Sequence, residues 1–153
     1  MSSANVWGDD WDSGPEDDWS GGHVSSKRLV PSGGMLGASV YELPPEGYAV
    51  YHFHHGSEEL LVVLRGRPTL RTRDGERELS EGDAVHFTTG PDGAHGIHNR
   101  TSDPVRYLVA GTRPTPELVE YPDLGQVTAQ SREPSQTGEP LFVVHQLVDP
   151  PSE

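Results

Sequence analysis

His52 and His54 stand one residue apart in the stretch Tyr48 to His54, and that spacing constrains the local fold more than any other feature of the chain. Side chains at i and i+2 leave the same face only from a β-strand, with α-carbons roughly 7 Å apart; on a helix they diverge. The residues agree with a strand: β-branched and aromatic side chains dominate Tyr48 to Phe53, and the turn-like Pro44-Pro45-Glu46-Gly47 precedes them. A second apolar run, Glu59 to Leu64, follows the bend His55-Gly56-Ser57 and closes at Gly66. Folded back on the first strand, it sets Glu59 close to the level of His54. A carboxylate at the mouth of an apolar strand is costly to bury unless a positive charge meets it, and a metal cation meets that need. His95 adds a third imidazole, so a small β-barrel has three nitrogens and one carboxylate to gather around one ion.

The rest of the chain alternates short strands with turn signals. Leu36 to Leu43, the histidine strand, Glu59 to Leu64, Thr69 to Arg73, Glu76 to Leu79, Ala84 to Phe87, His95 to Asn99 and Val105 to Gly111 all read as strands, with Asp74-Gly75 as a two-residue hairpin turn. Low hydrophobic content (32%) with 18 glycines and 14 prolines suits many strands and tight turns better than a helical bundle. The expected fold is therefore all-β, an antiparallel double-sheet barrel. No internal repeat is visible, so 153 residues make one barrel rather than two.

These residues also spell a known pattern. His52-x-His54, four residues, Glu59, six residues, Gly66 resembles the first motif of the cupin superfamily in its one-residue-longer form. Gly82-Asp83 opens a match to the second motif, and His95-Gly96-Ile97-His98-Asn99 completes it. The copy departs in the middle, with Thr88 where a proline is usual and the loop Thr89 to Ala94 about two residues longer than the usual form. The resemblance spans residues 36 to 112, and Tyr41 to Pro45, Glu58-Glu59 and Glu120 to Asp123 look like a bacterial group of small single-domain cupins. It implies a jelly-roll barrel (the cupin double-stranded β-helix) and one divalent transition metal ion, Fe, Mn, Ni, Co, Cu or Zn, on His52, His54, Glu59 and His95. It also implies pairing of two copies as a homodimer.

Outside the barrel, assigned to 26–125, the chain has two ends of different character. Residues 1–25 carry Asp9, Asp10, Asp12, Glu16, Asp17 and Asp18 before the first cation, Lys27, and all three tryptophans, Trp7, Trp11 and Trp19. Like charges with Gly and Ser read as a flexible arm, but tryptophans are poorly left in water. Docking on the barrel, on a second subunit or on a partner is expected, with a homo-oligomer preferred over a foreign protein. Residues 126–153 read as a linker, 128–140, plus a final strand, Leu141 to Val148, too apolar to be left unpaired. Glu117 to Glu120 reads as a turn of helix or the start of a strap. Leu60, Val62 and Leu64 on one face and Leu61 and Val63 on the other make the Glu59 strand apolar on both sides, so its outward face is either covered by the arm and tail or buried in a dimer, and the cupin resemblance implies the dimer.

Composition removes several function classes. The absence of cysteine excludes disulfides, thiolate ligation and cysteine nucleophiles. A net charge of −13 argues against nucleic acid as a partner. No apolar run reaches the ~18 residues of a membrane span, and the cytoplasm is the expected location.

A small organic molecule is the expected substrate or ligand. The first reading is a metal-dependent enzyme, with oxidative chemistry such as dioxygenation placed ahead of isomerase or lyase chemistry. The alternative is a non-catalytic sensor or protein-interaction module. Tyr48, Glu58 and His86 are the candidate catalytic residues, Tyr48 because it shares a strand face with the histidines. Val50, Leu61, Val63 and Ile97 are the candidate pocket walls.

Overall fold

The computed structural model describes residues 3–31 and 33–147, so Val148, assigned to the last strand, lies outside the described residues. Twelve strands form: β1 Ser25–Arg28, β2 Leu36–Leu43, β3 Tyr48–His54, β4 Glu59–Arg65, β5 Thr69–Thr72, β6 Gly75–Glu78, β7 Ala84–Phe87, β8 His95–His98, β9 Val105–Thr112, β10 Glu117–Tyr121, β11 Gln126–Pro134 and β12 Pro140–Gln146. They pair antiparallel into a five-stranded sheet, β1-β2-β9-β4-β7, and a seven-stranded sheet, β12-β11-β10-β3-β8-β5-β6, which face each other as a jelly roll. No helix among the described residues is long and apolar enough to cross a membrane.

Alternation builds the core. Leu61 and Val63 on β4 are almost fully buried, as are Leu43, Leu70, Ile97 and Val105. Burying each such side chain favours folding by about 1.5–3 kcal/mol. Asn99 closes the end of this core: its Nδ2 donates to Leu43 O and Asp103 O, and its Oδ1 accepts from Thr101 N and Oγ1. Asn99 is thus a loop support.

Three expectations are corrected, and one strand is added. The segment 128–140 read as linker is mostly strand: β11 occupies Gln126–Pro134 and pairs with both β10 and β12. Its polar, proline-bearing composition hid an alternation in which Thr128 is buried. Glu117 to Glu120 is neither helix nor strap but β10, paired with β3 through Val119 and Glu120. β1 was not anticipated, because Ser25-Ser-Lys-Arg28 lacks apolar residues. The hairpin turn is Arg73-Asp74, since Thr72 pairs with Gly75, whose φ of 124° only glycine adopts easily.

The arm lies on its own barrel. Arg106 on β9 is 1% exposed, and its guanidinium is ringed by Glu42, by Asp9 at 2.6 Å and by Val6 O at 3.1 Å. Lys27, 2% exposed, donates to Asn5 O, Gly8 O and Asp10. The Trp11 ring lies against both cations, 4.8 Å from Arg106 and 5.4 Å from Lys27. The acidic residues thus neutralise two buried cations of the barrel. Further along, Gly22 packs so tightly on β3 that a Cβ there would lie 1.8 Å from Tyr48 O. β12 remains at the sheet edge with Leu141, Phe142, Val143 and Val144 exposed.

Removing the buried guanidinium tests this account of the arm. Arg106→Ala is expected to lose about 3 kcal/mol in chemical denaturation and to render the first twenty or so residues rapidly cleavable by protease. Unchanged protease protection would contradict it.

Candidate metal centre

Two neighbouring strands of the seven-stranded sheet, β3 and β8, and one strand of the facing five-stranded sheet, β4, supply the cluster. β3 carries His52 and His54, β8 begins at His95, which pairs with His52, and β4 begins at Glu59. The long loop before His95 folds as a helical turn, Pro91–Gly93. Gly93 sits against the chain so closely that a Cβ would lie 1.7 Å from Thr88 O. That contact presents Gly93 O to His95 Nδ1 at 2.9 Å, and the His95 ring stacks on Phe87 at 3.6 Å. His52 Nδ1 donates in the same way to Val50 O at 2.7 Å. Each carbonyl fixes the hydrogen on Nδ1 and leaves a lone pair on Nε2.

The remaining atoms converge on Glu59. His54 Nε2 and His95 Nε2 each lie 3.4 Å from Glu59 Oε2. One ligand atom from each of His52, His54 and Glu59 falls within a 4.8 Å set, and the His52 and His95 rings are 4.7 Å apart. Neighbouring donors on one ion with bonds of about 2.1 Å are separated by about 3 to 3.5 Å. Glu59 Oε2 and His54 Nδ1 are nevertheless buried without a hydrogen-bond partner.

Burial alone raises the Glu59 carboxyl, but the surrounding imidazoles, His54 foremost, outweigh it and bring the group to about 2. Burial pushes His95 down to about 4, with His52 adding to the fall, and lowers His52 too. For His54 burial is opposed and overcome by Glu59 and Glu117, so its pKa rises. A raised His54 and a lowered Glu59 favour an ion pair between the two, while lowered His52 and His95 favour neutral imidazoles, and a cation bound among them takes the place of the His54 proton. The donor set and its orphaned oxygen fit a divalent transition metal.

Other sequence candidates fall elsewhere. Tyr48 does not share the histidine face: a bulge between Ala49 and His52 reverses the alternation, so Ala49 and His52 face inward. The Tyr48 hydroxyl instead donates to Ser20 O of the arm at 3.0 Å. Glu58 and His86 meet at 3.1 Å on the exposed surface and line neither cavity described below. Val50, Leu61 and Ile97 line a cavity of about 300 Å³, whereas Val63 lies outside that lining, in the packed core. The arm contributes Asp18, Trp19 and Ser20 to the same cavity, Trp19 packing edge-on to Tyr121 at 5.4 Å.

A second cavity, about 640 Å³, also reaches His54 and Glu59 and is lined by Tyr41, Arg113, Glu117 and Arg132. Glu117 was missed as a site residue. It is buried, accepts from Gly56 N and Ser57 Oγ, and lies 3.7 Å from His54 Nδ1. The clue was its alternation with Val119 and Tyr121, which places all three on one strand face.

Comparison with known proteins agrees with this architecture. Residues 39–111 match the cupin domain model Cupin_2, and the chain shares the fold of structures from the cupin superfamily. No curated protein matches. Among solved structures, a sugar phosphate isomerase of the cupin superfamily from Silicibacter pomeroyi DSS-3 is 28% identical, with a TM-score of 0.70 over 80% of this chain and 76% of that one. A candidate sugar phosphate isomerase from Acidithiobacillus ferrooxidans ATCC 23270 is 27% identical, with a TM-score of 0.67 over 80% of this chain and 78% of that one. A polyketide cyclase from Streptomyces resistomycificus, 23% identical over 58% of this chain and 64% of that one with a TM-score of 0.52, shares the fold alone.

The Gly93 contact gives a direct test of how His95 is held. Gly93→Ala must move backbone against backbone, and is expected to cost about 1–3 kcal/mol in thermal or chemical denaturation and to weaken metal uptake. A variant with unchanged stability and metal affinity would contradict that role.

Proposed function

We propose that this protein is a metal-dependent isomerase of a small phosphorylated sugar. The observation that carries the reading is the buried, unpartnered Glu59 oxygen between imidazoles at the wall of a cavity. Its chemical direction is supported by 27–28% identity to two proteins described as sugar phosphate isomerases over 80% of the chain. The comparisons offer no support for dioxygenation, so isomerisation replaces oxidative chemistry as the leading reading.

In this proposal His52, His54, Glu59 and His95 hold the ion, which when bound supplies Lewis acidity toward a carbonyl or hydroxyl oxygen of the sugar. The chain's own residues do the rest. Tyr41 and Tyr121 line the cavities, and burial raises both hydroxyls, so they act as hydrogen-bond donors and not as bases. Isomerisation of an aldose to a ketose moves a proton between adjacent carbons. Glu117 is the carboxylate besides Glu59 that lines the larger cavity, and it is assigned the proton transfer. Pairing of two copies through the exposed faces of β4 and β12 belongs to the same proposal; sedimentation as a single 16.7 kDa species would overturn that part.

The enzyme reading is tested by proton NMR in deuterium oxide, with aldose and ketose phosphates and protein reconstituted with each candidate metal. Deuterium is expected at the carbon beside the carbonyl as isomer forms, and chelation should abolish it. Glu117→Gln should retain metal while losing roughly 10²- to 10⁴-fold in rate. No exchange or isomerisation on any sugar phosphate, with a full equivalent of metal in place, would sink the proposal.

A further inference from the structure

The larger cavity holds two cations that the metal chemistry does not use. The chain carries 11 lysines and arginines against 24 acidic residues. Arg67, Arg71, Arg73, Arg100 and Arg106 each meet a carboxylate. Arg113 and Arg132 meet none among the described residues, yet both are half-buried and line the cavity that contains His54 and Glu59. Neither of the cavity's carboxylates meets these arginines: Glu59 faces His54 and His95, and Glu117 accepts from Ser57 and Gly56.

The pair is also built into the fold. Arg132 Nη1 donates to Gly34 O and Nη2 to Arg113 O, the latter at 2.7 Å, which ties β11 to the end of β9. Arg113 N donates to Met35 O at 2.8 Å, and its side chain crosses Gly37, where a Cβ would lie 2.8 Å from Arg113 Cδ. Its guanidinium makes no hydrogen bond among the described residues. Ser39, Thr112, Gln130 and Ser131 line the same cavity and add neutral polar groups. Half-buried guanidinium groups without a counter-ion call for an anion, and their planar fork matches the oxygens of a phosphate.

We infer that Arg113 and Arg132 form a phosphate subsite that holds the phosphomonoester of a sugar whose hydroxyls reach the His54–Glu59 cluster. The assignment rests on the isomerase reading for the sugar half of the ligand, while the anion half stands on the arginines. The phosphate charge would anchor one end of the ligand and so set which carbons lie beside the cluster.

The test is calorimetric titration of the metal-loaded protein, at fixed ionic strength, with glucitol 6-phosphate, glucitol and gluconate. Glucitol 6-phosphate has no carbonyl and cannot be isomerised, so binding is read without turnover. It is expected to bind at least ~30-fold more tightly than either other compound, and Arg113→Gln should weaken it about 10- to 100-fold. Arg77→Gln, at an exposed arginine outside the cavity, should leave the affinity unchanged. Arg132 also braces the chain, so Arg113→Gln with an unchanged melting temperature carries the decision. Equal binding of glucitol and its phosphate, equally tight gluconate, or full affinity in Arg113→Gln would overturn the subsite. Isomerisation without preference for phosphorylated sugars would overturn the subsite and leave the isomerase standing; phosphate binding by these arginines without isomerisation would do the reverse.

Discussion

A carboxylate buried among imidazoles governs this structure. Glu59 begins a strand whose next inward residues, Leu61 and Val63, belong to the core, so its side chain cannot leave without pulling β4 out of register. Its oxygen then faces His54 and His95 at 3.4 Å with no hydrogen bond to offset its desolvation. Backbone carbonyls at Val50 and Gly93 orient two of the rings, and a loop that only glycine fits supplies one of those carbonyls. Titratable groups shifted in opposite directions and gathered at one cavity are expected of a site shaped for a ligand.

The second electrostatic arrangement lies on the other side of the five-stranded sheet. Arg106 and Lys27 are buried cations whose partners come from the acidic arm. The arm continues from there to the smaller cavity, where Trp19 meets Tyr121. Asp9 and Asp10 therefore tie down the arm whose later residues wall the cavity next to His52 and His95.

Most of the barrel was legible because its strands obey alternation and its histidines stand at strand spacing. What could not be read has identifiable causes. The bulge after Ala49 turns Tyr48 outward, and nothing in Tyr48 to His54 marks it, since every residue there suits a strand. β11 is rich in Gln, Ser, Thr and Glu, a composition shared with linkers, and it becomes a strand through its pairing with β10 and β12. Glu117, Arg113 and Arg132 reach the same cavity only through long-range pairing, so no local spacing ties them to His54. The arm's tryptophans signalled docking, but the buried cations that receive it, Lys27 and Arg106, look like ordinary surface residues in sequence.

The central claim is that Glu59 and the three histidines hold one divalent ion, and metal content tests it most directly. Untagged wild-type protein and Glu59→Gln would be analysed by inductively coupled plasma mass spectrometry after reconstitution with Fe, Mn, Co, Ni, Cu or Zn. The account predicts close to one equivalent of at least one metal in the wild type and its loss in Glu59→Gln. A wild type that takes up none of these metals, or a Glu59→Gln variant that keeps a full equivalent, would contradict it.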